Sequence, residues 1–221
     1  MRSISQRDGF ASYILSNSAL KIEVVPQLGA KIVSLQRVET GREWMWRPQP
    51  DSPLFSNAVG DKFEASPLVG GDECFPTIGP CVWKGRSLPD HGELWTSPWN
   101  LDPATLSGSC IRTSVRLPIS PFMFERTIFL QEDEARFEYA VKSYSSVPER
   151  FLWAFHPLLA IESGDRLELS PDINQVQVGA VKGFPDETAK SWSWPSRFRE
   201  CAWIDSIAAA AFLATRNCSR K

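Results

Sequence analysis

Phe124-Glu125-Arg126-Thr127-Ile128-Phe129-Leu130-Gln131-Glu132-Asp133-Glu134-Ala135-Arg136-Phe137-Glu138-Tyr139-Ala140-Val141 decides the fold class. Phe124, Ile128 and Leu130 take alternate positions, and Arg126 interrupts the apolar series. After the polar stretch Gln131 to Glu134, Ala135, Phe137, Tyr139 and Val141 alternate back. A period of two marks a strand with one buried face. The stretch therefore predicts a β-hairpin with a four-residue loop.

The same period recurs on both sides. Leu20, Ile22 and Val24 alternate with Lys21, Glu23 and Val25, Pro26 and Gly29 break the run, and Ile32 and Val33 resume it. Downstream, a strand from Arg150 to His156 puts Phe151, Trp153 and Phe155 on one face and Leu152, Ala154 and His156 on the other. Arg166–Ser170 and Gln175–Val181 read as two more short strands, while Ser206–Thr215 reads as a helix or equally as a strand. The chain has 17 prolines and 13 glycines, which supply the frequent turns that short strands need. The expectation is one all-β antiparallel domain over residues 1–221, a β-sandwich rather than a closed barrel.

Composition narrows the function classes. The 221 residues are 43% hydrophobic and 23% charged with a net charge of −2, ordinary globular usage without a basic face for nucleic acid or an anionic membrane. No apolar run approaches the ~20 residues that span a bilayer. The first residues carry no secretory h-region. Five scattered cysteines (Cys74, Cys81, Cys110, Cys201, Cys218) form no C-x-x-C pair, which speaks for reduced thiols in the cytoplasm rather than a disulfide framework or zinc cage. Walker A, G-x-G-x-x-G, G-x-S-x-G and H-E-x-x-H patterns do not occur, and two histidines make a protein-built metal site improbable.

Between about Trp44 and Trp99 the pattern turns irregular, with eight prolines, Gly70-Gly71 and five tryptophans. Long loops inside a domain are usually functional. His91 lies here, in Pro89-Asp90-His91-Gly92-Glu93-Leu94-Trp95. Pro89 restricts the backbone ahead of it, and Gly92 permits a special φ or close approach by a ligand. Asp90 and Glu93 bring carboxylates to either side of the ring. If the segment is extended, Glu93 projects beside His91, about 6–7 Å away. A loop histidine bonded to neighbouring backbone is the plainer alternative. His156 ends its strand before Pro157, at the rim of a sheet, as a partly buried general acid or a satisfied core residue. Trp95 and other tryptophans could stack on a sugar or fill the core.

Together these segments resemble the aldose 1-epimerase (galactose mutarotase-like) family over about residues 10–170. The likeness is carried by Asn17 to Ile32, by Gly70-Gly71-Asp72-Glu73-Cys74-Phe75-Pro76-Thr77-Ile78-Gly79-Pro80, by Pro89-Asp90-His91-Gly92 and by Phe155-His156-Pro157. The resemblance implies a large twisted antiparallel β-sandwich. It also implies a carbohydrate isomerase that interconverts the anomers of a hexose or hexose phosphate, without metal or organic cofactor. His156 would then be the acid at the ring oxygen and His91 would position the sugar. Asp72 and Glu73 would accept from sugar hydroxyls, with Asp90 and Trp95 also on the substrate.

The chain departs from the family at its C-terminal part. There the family carries its base, a glutamate, on a late strand. Here the only glutamates after Pro171 are Glu187 and Glu200, neither in that context, and the last strands of the family are missing. Glu93 is the substitute base to consider, with a solvated loop glutamate as the plainer reading. The alternative function is a non-catalytic sugar-binding or regulatory protein on the same scaffold, and a plainer one is an interaction domain with an exposed sheet edge. Lys62 and Arg86 could meet a phosphate as point charge and fork, but two basic residues in a long loop read more plainly as solvated surface charge.

Overall fold

In the computed structural model, burial follows the alternation along Cys110–Arg116 and along residues 134–139. The structure describes residues 2–49, 52–104, 109–166, 168, 170–177 and 191–193. They fall into two units, the first ending at Ile161 and the second starting at Glu162. In the first unit, β1 (Arg2–Arg7), β2 (Phe10–Ser16), β3 (Leu20–Val25), β4 (Lys31–Arg37) and β5 (Gly71–Cys74) are followed by β6 (Cys81–Trp83) and β7 (Arg86–Leu88). After them come β8 (Asn100–Leu101), β9 (Cys110–Arg116), β10 (Phe122–Gln131), β11 (Glu134–Ser143) and β12 (Ala154–Pro157). The second unit holds the antiparallel pair β13 (Gln175–Gln177) and β14 (Ser191–Ser193).

Two sheets make the sandwich. One runs β1-β2-β3-β4-β5-β12 and the other β11-β10-β9-β8, and neighbouring strands pair antiparallel in both. Ile22, Val24 and Ile32 of the first sheet bury against Ile111, Val115, Phe124 and Ile128 of the second. The chain is thus all-β and antiparallel, as its periodicity predicts.

The first sheet is covered on its other face as well. Val25 and Val33 pack there with Leu28 of the β3–β4 connection and with Leu54 and Val69 of the β4–β5 connection. That second layer explains why β3 ends in consecutive valines rather than strict alternation. Lys31, Asp72 and His156 lie on this same covered face, and it carries the candidate site.

Three sequence expectations change in detail. Gln131 pairs directly with Glu134, so the hairpin turns on Glu132 and Asp133 alone, with Glu132 at φ 50°. The strand expected from Arg150 begins only at Ala154 and includes Pro157, which the end position of β12 in the sheet permits. Arg166, Glu168 and Ser170 lie in no strand, and the strand expected over Gln175–Val181 is described only as far as Gln177. Ser206–Thr215, Glu187 and Glu200 lie outside the described residues.

Candidate functional site

Strand register builds the floor of the site. Ile32 pairs with Gly71 and His156 with Asp72, so Lys31, Asp72 and His156 form a row across β4, β5 and β12. The Lys31 ammonium bonds the Asp72 Oδ2 carboxylate oxygen, and it donates to the Val69 carbonyl at 3.2 Å. Both side chains of this pair are buried. Asp72 Oδ1 and His156 Nδ1 are buried too, and neither has a hydrogen-bond partner among the described residues.

A turn delivers the second histidine. His91 (φ 58°) and Gly92 (φ 75°) sit consecutively in the left-handed region. The His91 N–H donates to the Ile78 carbonyl and the Gly92 N–H to that of Pro89. Glycine is required at position 92 twice over. A Cβ there would lie 2.2 Å from the Phe75 carbonyl oxygen, and the φ disfavours any other residue. Gly29 has a similar part under Trp95, whose Cα and carbonyl oxygen would be 2.6 Å from an added Cβ.

The turn brings the chain's only two histidines together. Their ring centroids stand 5.3 Å apart and nearly perpendicular. Phe63, in a short 3-10 turn (Phe63–Ala65), stacks on His91 at 4.2 Å and meets His156 edge-on at 4.9 Å. Asp90 organises this group. Its Oδ1 accepts from His91 Nδ1 at 2.9 Å, its Oδ2 from the Phe63 N–H at 3.1 Å, and its backbone carbonyl from Trp95 Nε1 at 3.0 Å. The His91 side chain keeps 22% of its exposure and that of Asp90 28%, so the site opens to solvent at this rim. Burial lowers the His156 titration from its ordinary 6.5, with the neighbouring His91 ring second, and Asp72 opposes.

Two sequence expectations are corrected here. Glu93 does not stand beside His91, because the two left-handed residues replace the extended backbone that this required. It is 0% exposed, and its carboxylate accepts from the Ile119 N–H at 2.7 Å and the Ser120 N–H at 3.1 Å. Nor can Asp72 and Glu73 both accept from one sugar, since successive residues of β5 point to opposite faces. Glu73 enters the core between the sheets. It accepts there from Arg126 Nη1 at 3.0 Å, Tyr139 OH at 2.9 Å and Trp153 Nε1 at 2.8 Å. Burial pushes its carboxyl upward against the pull of Arg126, and three donors require the acceptor form.

Trp95 is only 4% exposed and meets Phe63 edge-on at 5.2 Å, so it backs the aromatic wall instead of offering an open stacking face. Of the two basic residues, Arg86 is paired with Glu149 at 2.7 Å, on the β6–β7 hairpin. Phe63 and Lys31 were not legible as site residues. Lys31 had one signal, a lysine in an otherwise apolar Gly29-to-Val33 run.

Comparison with known proteins adds a partial overlap of structure. No protein-family profile matches the chain, and neither does any curated protein. Among solved structures, a protein of Escherichia coli K12 provisionally named aldose 1-epimerase aligns at 18% identity and a TM-score of 0.46, over 71% of this chain and 52% of its own. A 4-alpha-glucanotransferase from Thermococcus litoralis aligns at 15% identity and a TM-score of 0.42, over 65% of this chain and 24% of its own. The chain thus spans about half the length of the first protein and a quarter of the second.

Proposed function

We propose that the protein binds a free sugar at the His91–His156 pair and interconverts its anomers. The observation that carries this reading is the meeting of the two histidines, ring centroids 5.3 Å apart, beside an aromatic wall and above a buried carboxylate. Mutarotation needs one group to take the proton of the C1 hydroxyl and another to protonate the ring oxygen. The C1–ring-oxygen bond breaks as the carbonyl forms, the aldehyde turns about C1–C2, and ring closure on its other face returns both protons. Each such transfer is worth ~10²–10⁴-fold.

The two imidazoles divide that work. Burial keeps His156 uncharged near neutral pH, which suits the base half at the C1 hydroxyl, the reverse of the acid role that the family resemblance implies. His91 serves the ring oxygen as the imidazolium: its Nδ1–H stays on Asp90, its Nε2–H is given to the ring oxygen as the C1–oxygen bond breaks, and ring closure returns that proton to Nε2. Glu93 supports the pair by anchoring the segment that carries His91, not by titrating.

A second reading has an observation of its own. Glu93 is bound to backbone, Glu73 to Arg126 and one Asp72 oxygen to Lys31, which favours a sugar-binding protein without turnover. Proton NMR of α-glucose, α-galactose and glucose 6-phosphate separates the two. Anomer exchange above the buffer rate, lost in a folded His156→Ala variant, is the expected result. Saturable sugar binding without acceleration supports the second reading, and neither activity nor binding overturns both.

The pH dependence has a definite sign. A base whose titration is lowered stays competent until the pH falls below 6.5, so the acid limb of kcat/KM has its midpoint below that value. A midpoint above 6.5 would contradict the assignment of His156 as base.

A further inference from the structure

Two buried polar atoms on adjacent strands lack partners, and their chemistry is complementary: Asp72 Oδ1 is an acceptor and His156 Nδ1 carries a proton in one of its two tautomers. Register sets their spacing. The Leu158 N–H donates to the Gly70 carbonyl and the Leu152 N–H to the Pro76 carbonyl, both at 2.8 Å. Antiparallel alternation then makes His156 and Asp72, also register partners, a hydrogen-bonded pair with Cα atoms about 5.5 Å apart. At that separation a single water can bridge the carboxylate oxygen and the ring nitrogen, which form no direct hydrogen bond. Lys31 binds the other Asp72 oxygen, so the carboxylate is held at one end and free at the other.

We infer that Asp72 is the positioning residue of His156, accepting the Nδ1 proton through a single water and turning Nε2 toward the C1 hydroxyl of the sugar. The tautomer is the consequence that matters. With the proton on Nδ1, the lone pair is on Nε2, where a base needs it; the opposite tautomer presents a donor there. A histidine orienter of this kind is worth about 10–100-fold when the histidine serves a metal. Three charged or titratable groups face His156: Lys31 from β4, Asp72 from β5 and His91 from the turn after Pro89. Of these, Asp72 is the one whose carboxylate raises the His156 titration.

The role of Asp72 in catalysis rests on the epimerase reading, but its contact with His156 does not, and the test separates them. Long-range proton–nitrogen NMR of the wild-type protein reads the His156 tautomer without any variant or substrate. The expected result is a proton on Nδ1. In Asp72→Asn the His156 midpoint moves to lower pH and the Nδ1–H population falls. Because Asp72→Asn leaves the Lys31 charge buried, Lys31→Met/Asp72→Asn is measured beside it. Where sugar turnover is present, Asp72→Asn lowers kcat ~10–100-fold with KM little changed. An Nε2–H tautomer in the wild type, or a His156 midpoint in Asp72→Asn that is not lowered from the wild-type value, overturns the inference. The intended tautomer without turnover would uphold the contact and count against the epimerase reading alone.

Discussion

At the scale of single residues, chemistry follows from what each side chain is already bonded to. Glu93 looks like a catalytic carboxylate in sequence, two positions from a histidine, yet both its oxygens are engaged by backbone N–H groups. Glu93→Ala leaves the Ile119 and Ser120 N–H groups without an acceptor and lowers stability by roughly 2–5 kcal/mol in denaturant unfolding. Glu93→Gln retains one acceptor oxygen and costs less. A variant with wild-type stability that loses only turnover would restore Glu93 as a catalyst. His156 affects the whole fold through the same linkage. Its folded titration lies below 6.5, so its contribution is complete above that pH and is lost as pH falls through the lowered value. Urea unfolding of wild type and His156→Gln should therefore converge in relative stability as the pH is taken from 7.5 towards 5; a constant difference would contradict the burial of a neutral ring.

At the scale of elements, turns and register place the site. His91 reaches His156 because residues 91 and 92 both take left-handed backbone, a shape that glycine adopts readily and that, among other residues, asparagine, aspartate and histidine adopt most often. Gly92→Ala adds about 1–2 kcal/mol of left-handed strain, and its Cβ meets the Phe75 carbonyl at 2.2 Å. The variant is expected to be less stable by more than that strain alone and to shift the His91 ring resonances. Unchanged His91 resonances would show that the turn does not set the ring. The row Lys31–Asp72–His156 depends likewise on the register of β12 against β5, since a slip of one residue would send His156 to the opposite face.

At the scale of the molecule, the sandwich holds an ion pair between its sheets. Arg126 and Glu73 are both 0% exposed, and Arg126 also donates to the Ala30 carbonyl and lies over the Trp99 ring at 5.3 Å. Removing one partner strands the other in the core. Arg126→Met should cost about 3–5 kcal/mol, and Glu73→Leu/Arg126→Met should recover part of that loss. Chemical denaturation of the four proteins of the cycle checks this, and strictly additive losses would show that the two groups do not act as a pair. Arg126 was visible in sequence as the one charge in an apolar series, but its partner, more than fifty positions earlier, was not.

Local order was readable because the physics behind it is local. The alternation of Phe124 to Val141 requires a strand pair with one buried face, and from it the antiparallel class follows. Both histidines stood out in the same way, by their neighbours Gly92 and Pro157. Which side chains meet was not readable, because that depends on register between strands far apart in the chain and on loops folding back over a sheet. Phe63 reaches both imidazoles from such a loop. Asp72 and Glu73, adjacent in sequence, part to opposite faces of β5, one to Lys31 and the site, the other to Arg126 and the core. Sequence neighbours alternate by covalent geometry; the partner each one finds is chosen by packing.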